Sequence, residues 1–200
     1  MKPDSSLDGK APGVGRPRDP RIDASILQST AELLVQTGYS NLTMAAIATR
    51  AGTTKTALYR RWTSKAELVH EAAFPATPTA LETPPGDIAA DIRAMIAASR
   101  DVFVSPVVRA ALPGLVADVA SDPSLNARVR ARFQGVFDAL RTRLRDGVKR
   151  GEVYPDIEPD RLIEVIGGAT MMRLLMRLDE ELDDTWVDQT AAIVIHGVAK

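Results

Sequence analysis

The sequence predicts an all-α protein of about nine helices, a three-helix helix-turn-helix domain followed by a larger helical domain. Apolar residues recur at three- and four-residue spacing through nearly the whole chain, and no alternating run makes a convincing strand. Helix caps and breakers punctuate that pattern at regular intervals. The stretch PATPTALETPPG, residues 75–86, holds four prolines and a glycine. No long helix survives it, so it separates a domain at 21–74 from one at 87–200.

Residues 1–20 are rich in Pro, Gly, Ser and charge and predict a disordered arm. Arg16 and Arg18 flank a proline there; such an arm ahead of a DNA-binding domain suits an A·T-rich minor groove, with a plain solvated tail as the alternative. The first helix is expected from about Ile22 to Thr37, with Ile26, Thr30 and Leu33 beside Leu27, Ala31 and Leu34 as a broad core face and Gly38 as its stop.

Residues 43–65, TMAAIATRAGTTKTALYRRWTSK, organise the rest. Met44, Ile47, Ala48 and Ala51 share one face of a second helix, and Gly52 takes the turn. Thr54 is an N-cap for a third helix, about Lys55 to Trp62, whose Leu58 and Trp62 point to the core. Its other face carries Lys55, Thr56, Tyr59 and Arg60, residue types that reach phosphates and base edges in a DNA groove. Ser64 and Glu67 form a capping box for a fourth helix, to about Phe74. Lys65 in its first turn opposes the helix dipole unless an anion such as a DNA phosphate lies nearby.

From Asp87 onward every segment reads as helix. A fifth carries Ile88, Ile92, Met95, Ile96 and Phe103; a sixth, about Pro106 to Ala120, contains Pro113-Gly114, which is expected to kink or break it. Asp122-Pro123 starts a seventh helix, which runs to about Arg150 with most of its arginines between the core positions, as on a solvated face. The eighth begins at Pro159, with Ile157 and Leu162 placed as a hydrophobic staple; the ninth spans about Thr185 to Val198. Both have two apolar sides: Leu162, Val165, Ile166 and Ala169 against Ile163, Gly167, Thr170 and Leu174, then Trp186, Thr190, Ile193 and Gly197 against Val187, Ala191, Val194 and Val198. Two such helices at a domain's edge imply a second partner, most simply another copy of the chain.

The net charge of −1 conceals ten Lys/Arg against seven Asp/Glu in residues 1–75 and fifteen against nineteen in 76–200. The basic end is the one with the helix-turn-helix pattern. Cysteine is absent, which removes disulfides, thiolate metal sites and cysteine nucleophiles and fits a cytoplasmic home. No apolar run approaches the roughly 18 residues of a membrane span, and the N-terminus lacks a signal-peptide core. No metal-ligand spacing or phosphate loop is present, and no cofactor is implied. The two histidines read as structural, His70 as a surface or linker contact and His196 as part of an interface. With no catalytic residue in sight, the sequence is not read as an enzyme's.

Gly38-Tyr39, Leu42-Thr43-Met44, Ile47-Ala48, Ala51-Gly52, Leu58-Tyr59 with Trp62, Ser64-Lys65 and Glu67-Leu68 together resemble, in identity and spacing, the N-terminal domain of the TetR family of bacterial transcriptional regulators. Trp62 stands where the family usually has Phe, and Thr56 where a small residue is common. The resemblance implies a homodimer, usually a repressor, on a palindromic operator in double-stranded DNA, released by a small-molecule effector in the C-terminal domain. It implies phosphate contacts from Thr43, Tyr59 and Lys65, and base or further backbone contacts from Thr54, Lys55, Thr56, Arg60 and Arg61. Family usage places the dimer contact on the last two helices, with Ile163, Gly167, Thr170, Leu174, Trp186, Thr190, Ile193 and Gly197 as candidates. Phe103, Leu112, Leu115, Phe133, Phe137, Met171 and Met172 are the candidate pocket lining. A DNA-binding helical module without small-molecule control is the alternative.

Overall fold

The computed structural model describes residues 20–75, 87–177 and 181–198, and these are helical with no strand among them. The helices are α1 Pro20–Asn41, α2 Met44–Arg50, α3 Lys55–Tyr59, α4 Lys65–Ala73, α5 Ile88–Val104, α6 Pro106–Ser121, α7 Pro123–Lys149, α8 Pro159–Met176 and α9 Asp184–Val198. The predicted arm with Arg16 and Arg18, and most of the Pro-rich stretch, lie outside the described residues.

Side-chain caps set most of the starts. Thr43, Thr54, Ser64 and Asp87 each accept a hydrogen bond from the backbone N–H three residues on, which satisfies one orphan donor per helix. Asp122 caps α7 and Glu158 caps α8, each followed by proline at the first helical position. Ile157 and Leu162 pack into one core around the Glu158 cap, as a staple should. Gly38, at φ 73°, interrupts α1 where the sequence placed its stop.

Two expectations change. Regular helix in α3 ends at Tyr59, although the chain keeps turning, with Trp62 N–H donating to Leu58 O at 2.9 Å. Nor does Pro113 break α6, which runs through it unbroken. Proline in a helix interior costs about 3 kcal/mol. Here Val108, Ala111, Leu112 and Leu115 are all buried around it and more than offset that cost, at about 1.5–3 kcal/mol for each large apolar side chain.

The helices bury two main cores. One joins Ile26, Leu34, Leu42, Met44, Ile47, Leu58, Trp62, Leu68 and Val69 of α1–α4 and their turns with Val108, Ala111 and Leu115 of α6 and Leu125 of α7. The other joins α5, the C-terminal half of α7, α8 and α9 through Ile92, Ile96, Leu144, Leu162, Ile166 and Val187. A smaller cluster of Leu112, Leu174 and Leu182 lies on the far side of α6. Helix α6 is therefore shared: Val108, Ala111 and Leu115 face the N-terminal core, and Leu112 faces the body. The axes of α5 and α6 differ by 85°, and no single described helix is long and apolar enough to cross a membrane.

A buried ion pair locks the second core. Asp91, 4% exposed, accepts from Arg143 at 2.5 Å. The solvated face expected for most arginines of α7 holds for Arg128, Arg130, Arg145 and Arg150, which are exposed, whereas Arg143 and Arg141 are half-buried and bind Asp91 and Asp160.

Candidate nucleic-acid interface

The turn between α2 and α3 is closed by backbone bonds. Gly52 sits at φ 63°, and Thr53 N–H donates back to Ala48 O at 2.9 Å, the geometry of a helix ended by a left-handed residue. That turn aims α3. Leu58 is fully buried, and Trp62 is buried with its indole N–H on a Glu71 carboxylate oxygen at 2.7 Å. With those two residues anchored, the opposite face must point outward. Lys55, Thr56 and Arg60 are exposed, and Tyr59 is 52% exposed despite its large apolar ring. Thr54 and Thr43 are exposed with their hydroxyl oxygens accepting cap bonds, which leaves each hydroxyl hydrogen free to donate outward.

Two of the predicted DNA contacts are engaged inside the protein. Arg61 is turned back onto α1: its Nε is paired with Asp23, and its Nη1 donates to Ala57 O at 3.1 Å. It lies next to buried Trp62, on the flank that faces α1, so it braces the orientation of α3 and is removed from the set of base readers. Lys65 donates from Nζ to the carbonyl of Tyr39 at 3.0 Å and sits 4.0 Å above the centre of the Tyr39 ring. That carbonyl and ring meet much of the cost of a cation at a helix start without any phosphate. The Ser64–Glu67 box is modified too. Ser64 Oγ accepts from Glu67 N–H at 3.1 Å, but the Glu67 carboxylate reaches back to Thr63, taking both its N–H and its hydroxyl at 2.6 Å.

Tyr39 connects this surface to the body. Its hydroxyl donates to Asp118 of α6, and burial together with that carboxylate holds the phenol protonated, its pKa pushed well above the ordinary value. Its ring lies on Gly114: a Cβ built there would stand 2.0 Å from Tyr39 Cδ1. Gly114 is thus the missing wall of a socket, and the ring in it holds Lys65. The sequence could not reveal this, because Tyr39 and Asp118 lie 79 residues apart.

The predicted pocket residues do not line one space. Leu115 belongs to the N-terminal core, Leu112 to the small cluster with Met171 beside it, and Phe103 touches both. Phe133 and Phe137 stack at 6.2 Å, and Phe133 meets Phe74 and His70 edge-on. Met172 points outward at 62% exposure and is not a lining residue. Periodicity shows that a residue is apolar-facing but not which core it faces. Two concave surfaces among the described residues lie elsewhere: about 670 Å³ along Asp138, Thr142, Asp146 and Lys149 of α7, and about 420 Å³ around Arg173, Trp186 and Gln189.

The candidate dimer stripes also divide differently. Thr170 is fully buried within the protomer, donating to Ile166 O and touching Ser99 Oγ at 3.1 Å, and Leu174 is buried in the small cluster; neither can meet a partner. Trp186 and Ile163 pack against the body core, while Gly167 and Thr190 are half-buried at its margin. Ile193, 76% exposed, and Gly197 do face outward. The outward stripe of α8 is Val165, Gly168, Met172, Leu175 and Met176, none of which is among the candidate dimer residues. His70, expected at the surface, is buried at 7% exposure between α4 and α7.

Comparison with known proteins agrees with this arrangement. Residues 26–72 match the family model "Bacterial regulatory proteins, tetR family", and residues 83–194 match "Tetracyclin repressor-like, C-terminal domain". An HTH-type transcriptional regulator of Mycobacterium bovis is 32% identical over 179 residues, 85% of this chain and 86% of that one. The crystal structure of the TetR family transcription regulator SCO0332 is similar at a TM-score of 0.65 and 30% identity, covering 90% of this chain and all of that one. At the level of fold alone, the regulator FadR of Bacillus subtilis, solved with stearoyl-CoA, has a TM-score of 0.67 and 12% identity over 87% of this chain and 98% of that one.

Proposed function

This chain belongs to the TetR family of transcriptional regulators, DNA-binding proteins rather than enzymes, and from that premise we propose that it is a ligand-released repressor acting as a homodimer on a palindromic operator. The observation that carries the reading is the outward face of α3, on which Lys55, Thr56, Tyr59 and Arg60 stand exposed while Leu58 and Trp62 anchor the helix from behind. A helix of that chemistry fits the major groove: Tyr59 and Lys55 reach phosphates, and Arg60 and Thr56 reach base edges. Thr43 and Thr54 add hydroxyl donors to the flanking backbone. Lys65 reaches a phosphate from its perch on Tyr39, whose carbonyl occupies only part of an ammonium's three-donor capacity.

Dimerisation is supported by the exposed apolar stripe of α8 and, on α9, by the outward-facing Ile193. Val165, Met172, Leu175 and Met176 along α8, and Ile193 on α9, are large apolar side chains left in water, a liability that a second copy removes. Binding to successive major grooves then requires the two copies of α3 to stand roughly 34–36 Å apart, one turn of duplex. In this reading residues 21–74 are the reader and 87–200 the ligand-binding and dimerisation body. Repression and ligand control are supported by the tetracycline-repressor likeness of the C-terminal half and by the ligand in the FadR fold relative. Helix α6, with one face in the N-terminal core, Leu112 in the small cluster with Leu174 and Leu182, and Gly114 under Tyr39, is the element that carries a change in the body to the reader. A coupling of about 1–3 kcal/mol between effector and operator suffices for useful control.

Selection of bound sequences from random duplex DNA tests this. The expected product is an inverted repeat with half-sites one helical turn apart. Enrichment of a single half-site, or of none, rejects the dimeric reader.

A further inference from the structure

Four half-buried arginines among the described residues are neutralised. Arg61, Arg100, Arg141 and Arg143 each hold a carboxylate. Arg132, also half-buried, has no carboxylate within salt-bridge reach among the described residues; it donates from Nη2 to the carbonyl of Phe74 at the end of α4, and its Nε is buried with no partner. Nearby on α4, His70 is 93% buried by the same measure that leaves it 7% exposed, and its Nε2 also lacks a partner. A guanidinium N–H and an imidazole nitrogen left unsatisfied away from water are both costly. Around them stand aromatic walls: the Phe74 ring 5.1 Å from His70, Phe133 6.0 Å from it and edge-on, and Phe137 stacked behind Phe133. Helix α4 packs chiefly on α1 and α6 and only lightly on α7, so this joint is the loosest side of the reader's last helix.

We propose that the effector of this regulator is a carboxylate with an aromatic body, received between α4 and α7 by His70 Nε2 and Arg132 Nε. The proposal rests on the reading of the chain as ligand-controlled and names the chemistry of the ligand. The carboxylate supplies the negative charge and the two acceptors that the joint lacks, and guanidinium–carboxylate bonds are among the stronger charge-assisted ones. The Phe74, Phe133 and Phe137 rings give an aromatic body edge-to-face partners. Because Arg132 ties α7 to the C-terminal carbonyl of α4, a ligand on Arg132 acts directly on the helix whose other end carries Lys65.

The chain has two histidines, which makes the site visible by proton NMR of the full-length protein. Unliganded, burial and then Arg132 push His70 down to about 4. A carboxylate beside it favours the imidazolium, so saturating 2-naphthoate is expected to raise the His70 midpoint by a unit or more while His196 stays put. Calorimetry is expected to show 2-naphthoate binding at least tenfold more tightly than 2-naphthamide, and Arg132→Met losing most of that preference. Should Arg132→Met unfold, the His70 titration of the wild-type chain decides alone. Equal binding of acid and amide, or acid binding that leaves His70 unmoved, overturns the proposal. So does the absence of binding by benzoate, 2-naphthoate and decanoate alike, which assigns the two nitrogens to internal water. If 2-naphthoate moves His70 yet leaves operator affinity unchanged at saturation, the site stands and the ligand-control reading falls.

Discussion

Replacing Gly114 by Ala tests whether the reader is seated on the body through Tyr39. A Cβ at position 114 would lie 2.0 Å from Tyr39 Cδ1 and 2.4 Å from both Cγ and Cε1. Carbon atoms prefer about 3.5–4.0 Å, so the ring must retreat by roughly 1.5 Å. It is not a loose end that can swing away: its hydroxyl is bound to Asp118 and its face and carbonyl to Lys65. Overpacking of this kind costs about 1–3 kcal/mol, and loss of a hydrogen bond to a charged group adds about 1.5–3. Alanine returns about 1 kcal/mol in helix propensity. The balance is a net loss of roughly 1.5–5 kcal/mol, measured as a lower urea midpoint at unchanged m-value. Operator affinity should fall as well, because Lys65 loses its support. If one phosphate contact per half-site is lost, the slope of log affinity against log salt becomes shallower by about one for each.

The competing outcome is clear-cut. If helix propensity is the larger effect, Gly114→Ala is more stable than the wild type and binds DNA equally well. That result refutes the seated ring and with it the coupling route through α6. Tyr39→Phe refines the test, since it keeps the ring and removes only the bond to Asp118; it should cost about 1.5–3 kcal/mol and leave the salt slope alone.

Other outcomes follow from the same geometry. Tyr59→Phe and Lys55→Ala should weaken binding to all DNA sequences and flatten the salt dependence without changing the urea midpoint, whereas Arg60→Ala should relax the preferred sequence at particular base pairs; quantitative binding assays across salt and operator variants separate them. Met172→Glu with Ile193→Lys should yield a folded monomer by analytical ultracentrifugation, with operator affinity lost at concentrations where the wild type binds. Asp91→Ala leaves Arg143 without its buried carboxylate and should cost about 3–5 kcal/mol in urea unfolding. His70 is held near 4 in the fold against an ordinary 6.5, so the unfolded chain binds the proton more readily. Its stabilising contribution is complete above about pH 6.5 and is lost as pH falls toward 4, by on the order of 2–3 kcal/mol, a loss that a His70→Phe variant should not show.

The helix-turn-helix was legible because its determinants are local. Gly52, Thr54, Ser64 and the Leu58–Trp62 pair act within a few residues of themselves, and helical periodicity alone then turns Lys55, Thr56, Tyr59 and Arg60 outward. What could not be read was which of several apolar neighbours each face would meet. Thr170 and Leu174 satisfy helical spacing for an interface as well as for a core, and only the packing of α5 against α8 puts them inside. Arg61 and Arg60 are chemically equivalent in the sequence; Asp23, thirty-eight residues earlier, separates their roles. Tyr39 on Gly114 and His70 beside Arg132 are likewise meetings of distant segments, invisible to any local pattern.

The least local feature is also the one through which the proposed control passes. A regulator of this kind needs a reader stable enough to hold a groove-fitting helix, yet tied to the body closely enough to feel a ligand there. A self-sufficient N-terminal core would meet the first need and defeat the second. Here the core of α1–α4 is completed by Val108, Ala111 and Leu115 of α6 and Leu125 of α7, so the reader's packing cannot be indifferent to where α6 and α7 lie. Packed cores switch between discrete arrangements rather than deforming smoothly. In the proposed coupling, a displacement of α6 loosens the seat of Tyr39 on Gly114 and with it the perch of Lys65. Pro113 in the unbroken α6 has a physical reason in this light: it removes one backbone bond beside Gly114, lowering the cost of bending the helix at the position where bending changes the grip on Tyr39.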